Sequence, residues 1–72
     1  MPNEHGQITP ADFKAPKDKY RITREDMNDG ELHIVADIYH YDCALLIAEW
    51  LRAKDQESVF FLWDDKGQEI IF

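Results

Sequence analysis

Cys43, His40 and the acids around them are the residues best suited by type to reactive chemistry. Cys43 opens a helix-forming stretch and His40 stands just before it. A helix N-terminus favours a thiolate, so the pair suggests a cysteine nucleophile. Cys43 also falls on an apolar arc, where a small buried thiol is the commoner explanation. His33, Asp37 and His40 follow i, i+4, i+7 spacing. On a helix that spacing gathers three ligands on one face and can chelate zinc. On a strand, His33 and Asp37 share one face while His40 points to the other, and the site falls apart. Asp64 and Asp65 are adjacent at a strand end, so they diverge rather than form an acid–base dyad, and a hairpin turn explains them better. The expectation is therefore no enzyme, no metal site and no cofactor.

The acids matter more as a surface than as catalysts. Residues 1–24 hold five basic and three acidic residues, and residues 25–72 hold three basic and twelve acidic ones. The basic set is Lys14, Lys17, Lys19, Arg21 and Arg24. Tyr20 interleaves with it in the minimal stacking-plus-phosphate pattern of a single-strand binder. Five cations against a net charge of −7 argue against direct nucleic-acid binding. The acids cluster at loops and strand ends: Glu25, Asp26, Asp29 and Glu31, then Asp55 and Glu57, then Asp64, Asp65 and Glu69. Most surface charge is merely solvated. The sharper reading is a negative surface offered to a basic groove on another protein, imitating a row of phosphates. The expected contact set is Glu25, Asp26, Asp29, Glu31, Asp64 and Asp65, with Trp63 as the aromatic hot spot.

The inventory closes other routes. Serine occurs once, and glycine only at Gly6, Gly30 and Gly67. Neither a phosphate-cradling glycine loop nor a GxSxG elbow can be built from these. One cysteine allows no internal disulfide and fits a reducing compartment. The first residues lack a signal peptide's basic start and apolar stretch. The longest apolar run, Cys43 to Ala48, is far short of the ~20 residues of a membrane span. These features lead to the expectation of a cytoplasmic protein.

The elements that must carry these residues are few, because 72 residues make one small domain. Residues 1–18 hold all three prolines and read as a loosely organised segment, with 19–72 as the core. Thr9-Pro10-Ala11-Asp12 is a helix-start signature that Pro16 ends within about two turns, and Phe13 is the expected anchor. Lys19–Thr23 alternates as a strand, and Asp29-Gly30 marks a turn. Glu31–His40 reads as a second strand, with Leu32, Ile34, Ala36, Ile38 and His40 on one face. A helix over the same residues competes with that reading. Asp42 is the expected N-cap of a helix through about Lys54, whose wide apolar arc runs from Cys43 to Ala53. Such an arc needs a second cover besides the sheet, either the N-terminal segment or another copy of the chain. Ser58–Asp64 is apolar on both faces and reads as a central strand, Asp65-Lys66-Gly67 as a hairpin turn, and Gln68–Phe72 as the return strand.

The expected fold is α+β: a small antiparallel sheet of about four strands in ββαββ order, one main helix packed on it, and a short N-terminal helical turn. The expected function is a protein-binding module, an inhibitor or regulator that docks on a basic, nucleic-acid-binding partner. In size and charge it is similar to phage- or plasmid-encoded anti-defence proteins and nucleic-acid mimics. The alternative is a structural or regulatory subunit that homodimerises through its C-terminal strand or its helix.

Overall fold

A computed structural model describes residues 10–72. A 3₁₀ turn, Pro10–Asp12, precedes β1 (Tyr20–Asp26), β2 (Leu32–Ile38), α1 (Tyr41–Lys54), β3 (Ser58–Trp63) and β4 (Glu69–Ile70). The strands form one antiparallel sheet in the order β2-β1-β3-β4. The expected α+β architecture is thus the one found. The Thr9 cap lies outside the described residues.

β1 is longer than its alternation suggests. Arg24-Glu25-Asp26 is wholly polar, yet these residues pair with Phe60, Val59 and Ser58 of β3, and Arg24 and Glu25 also pair with His33 and Leu32 of β2. A central strand with a neighbour on each side overrides local propensity. β3, beside it, is also internal. β4 is an edge of only two residues.

The core lies between the sheet and α1. Ile22, Ala44, Ala48, Phe60 and Leu62 are buried together, with Tyr20, Ile38, Leu45, Leu51, Ile70 and Phe72 packed around them. Ala44 and Ala48 are fully buried, so the helix meets the sheet through small side chains and lies close to Ile22 and Leu62. Each fully buried large aliphatic contributes about 1.5–3 kcal/mol.

β2 departs from the single apolar face expected of it. Its pairing with β1 shifts between Ile22 and Thr23: Ala36 faces Ile22 and Ile34 faces Thr23, leaving Val35 as the extra residue of a bulge. Ala36 and Ile38 stay on the helix side, while Ile34 and Leu32 turn to the opposite face. The strand ends at Ile38, and His40 lies outside it, exposed and preceding α1. His40 takes the N-cap position with no side-chain bond, and Asp42, expected there, sits in the first turn instead.

Among the described residues, the sheet face away from α1 is covered at one end. Phe13 stacks on Trp63 with ring centroids 4.5 Å apart. The Ala15 N–H donates to the Asp64 carbonyl at 3.0 Å. Arg21 binds Asp37 in a bidentate pair, at 2.8 and 3.0 Å, and its third nitrogen donates to the Asp12 carbonyl at 2.7 Å. That pair raises the Arg21 pKa further, through the hydrogen bond to Asp37. Phe13 therefore serves as the anchor, and it holds the segment to the face opposite the helix. Towards the other end of this face, Ile34 and Val59 remain exposed.

Candidate functional site

The antiparallel pairing of β1 and β3 decides which acids meet. Asp26, at the end of β1, pairs with Ser58, at the start of β3. The β1–β2 turn therefore lies beside the loop from α1 to β3, and the Met27 N–H donates to the Glu57 carbonyl at 3.0 Å. Six carboxylates gather at this end: Glu25, Asp26, Asp29, Glu31, Asp55 and Glu57. The nearby bases in ion-pair range are Arg24, 4.0 Å from Asp55, and His33, 3.4 Å from Glu31.

Local hydrogen bonds fix this end. Asp26, Asp29 and Asp55 each accept from the backbone N–H two residues on, at 2.8, 2.9 and 3.0 Å. Such bonds favour turns over continued strand or helix. Gly30 takes φ 73°, a region L side chains rarely adopt, and its N–H returns to the Asp26 carbonyl at 2.8 Å. Asp26 and Asp29 each keep a second carboxylate oxygen outside these bonds, and that of Asp55 lies 4.0 Å from Arg24. Met27 caps the turn with a side chain 63% exposed.

Asp64, Asp65 and Trp63 lie at the opposite end of the sheet, because Trp63 pairs with Arg21. The chain does not bring them to the other acids. Asp64 accepts from the N–H groups of Lys66 and Gln68 at 2.8 and 2.9 Å. The Gln68 bond leads in holding its carboxyl below the ordinary value near 3.8, with help from Lys66. Asp65 accepts from the Asp18 N–H at 2.9 Å. The Trp63 Nε1–H donates to the buried Thr23 hydroxyl at 2.9 Å, and Phe13 covers its ring. These three residues shape the fold at their end. Asp64 and Asp65 also border a polar cleft of about 460 Å³ that Tyr20, Tyr39, Tyr41, Lys19 and Lys66 help to line.

Asp55 and Glu57 belong to the site but were not among the residues expected to make contact. Antiparallel pairing of β1 with β3 is the signal that joins their loop to the β1–β2 turn. Cys43 is exposed, against the expectation of a buried thiol. His33 lies on a strand and His40 outside it, so the helical spacing that would gather them with Asp37 is not realised. Among the described residues no group of three or more histidines, cysteines or acids is placed to hold a metal ion, and no helix is long and apolar enough to cross a membrane.

A second exposed feature lies on α1. Leu46, Ile47 and Trp50 face outward, away from Ala44 and Ala48. Of the N-terminal segment, one of the two covers expected for the wide arc, the described part packs through Phe13 on the far face of the sheet instead. Compared with models of protein families, with curated proteins and with solved structures, the chain matches none.

Proposed function

We propose that the protein is a small acidic docking module that binds the basic surface of a nucleic-acid-binding protein through the end formed by the β1–β2 turn and the α1–β3 loop. One observation carries this reading: six carboxylates from the end of β1 and from the two loops beside it lie at this end, and a backbone hydrogen bond ties the two loops together. A fixed row of carboxylates presents the charge that a phosphate-binding groove is built to receive. The net charge of −7 steers a cationic partner toward the module, and so raises the on-rate. Occupying the groove makes the module an inhibitor of its partner.

Capture of partners from the native host, with three forms of the protein as bait, tests this. Glu25→Lys with Glu57→Lys reverses two charges whose carboxylates hold none of the turn hydrogen bonds. This variant loses the partner, whereas Glu69→Lys, at the far end, retains it. Equal capture by all three baits rejects the acidic end as the docking surface.

A further inference from the structure

We propose that the outward face of α1 is a self-association surface, on which a second copy of the chain packs antiparallel about a two-fold axis at the level of residue 48. This goes beyond the acidic docking end and uses different residues. A helix that buries one face on a sheet ordinarily turns a polar face to water. Here Cys43, Leu46, Trp50 and Ala53 line the outer side at alternating steps of three and four, all of them exposed. Ile47 flanks them. Leu46 is 67% and Trp50 59% exposed, and Ile47 39%. Steps of three and four are the seam along which two helices interlock.

The spacing and the charges select the occupant. In an antiparallel pair centred at residue 48, Leu46 meets Trp50 of the second copy, and Cys43 meets Ala53 of the second copy. Large residues fill the central layers and small ones close the ends, so the seam is complementary to itself, as a two-fold interface requires. Antiparallel packing sets the first turn of one helix, with Asp42, level with the last turn of the other, with Lys54, and opposes the two macrodipoles, while Arg52 is held by the Phe72 carbonyl of its own chain. A parallel pair would instead set Lys54 against Lys54. The antiparallel arrangement also keeps the acidic ends, which follow the C-terminus of α1, at opposite extremes of the dimer. The three large residues offer on the order of 300 Å² per copy, so two copies bury well under the ~1,600 Å² of a standard interface. The dimer is accordingly weak, with a dissociation constant in the micromolar range.

Sedimentation velocity of the full chain under reducing conditions, from about 5 to about 500 µM, reads this directly. A monomer–dimer equilibrium is expected that higher salt does not weaken, since screening relieves repulsion between two chains of −7. Leu46→Gln with Trp50→Gln weakens it at least about tenfold, with helix content and melting temperature unchanged. Glu25→Lys with Glu57→Lys leaves it in place, so its failure and that of the docking end are separable. Ala53→Cys supplies a register test: on mild oxidation it links to Cys43 of the second copy, while the wild-type chain stays unlinked. A monomer throughout the range overturns the proposal and leaves the stripe to another protein. So does a Leu46/Trp50 variant that dimerises normally, or a wild-type Cys43–Cys43 link.

Discussion

Thr23 is fully buried on the sheet face away from the helix, and the Trp63 indole supplies its hydrogen bond. Trp63→Phe keeps an aromatic ring under Phe13 but strands that hydroxyl, and a buried unsatisfied hydroxyl costs about 1–3 kcal/mol. Urea denaturation should show a lower midpoint with an unchanged slope. This bond explains why Trp63, expected as a hot spot, is held within the fold. The strand's two apolar faces marked Trp63 as important without revealing its partner, which lies forty residues away. Asp64 has a different part. Its ionised carboxylate accepts two turn N–H groups, and its folded pKa lies below the unfolded one. The stability it contributes is therefore present above the ordinary value near 3.8 and is lost as pH falls through the depressed folded value. Asp64→Ala should melt lower than the wild type at neutral pH, and the gap should close in acid. A gap that stays constant down to pH values below the folded pKa would remove the charge from the explanation.

α1 and β2 show how far alternation carries at the scale of elements. The helix rests on Ala44 and Ala48, both fully buried against the sheet. Ala48→Leu should overpack this contact at a cost of about 1–3 kcal/mol, lowering the melting temperature, whereas Ala53→Leu on the outer side should not. The first half of β1, β3, the helix and its end at Lys54, and the turns at Gly30 and Gly67 follow from residue pattern and turn chemistry. The bulge at Val35 does not, because Leu32, Ile34, Ala36 and Ile38 keep a period of two that only the pairing with β1 interrupts. The consecutive apolar pair Ile34-Val35 is its only trace in the sequence. Pairing also explains the polar half of β1, which is a strand because β2 and β3 flank it.

At the scale of the whole molecule, the fold separates two surfaces that the sequence interleaves. Composition revealed the acidic excess, and the ββαββ order revealed the sheet. The gathering of Asp55 and Glu57 with the β1–β2 turn needed the strand order β2-β1-β3-β4. The same order sent Asp64 and Asp65 to the other end. The described residues form one sheet and one helix, with a least Cα extent of 15 Å. Among the described residues no second helix layer lies over α1, and its outer side is exposed, as the acidic end is. The acidic end needs no partner to be organised, since its turns are closed by the chain's own backbone. Titrating the ¹⁵N-labelled protein with an oligo-arginine peptide at low salt tests the docking claim most directly. Docking through the acidic end predicts amide shift changes concentrated at residues 25–31 and 55–57 that fade as salt is added. Changes centred on residues 64–69, or spread evenly over the surface, would contradict it.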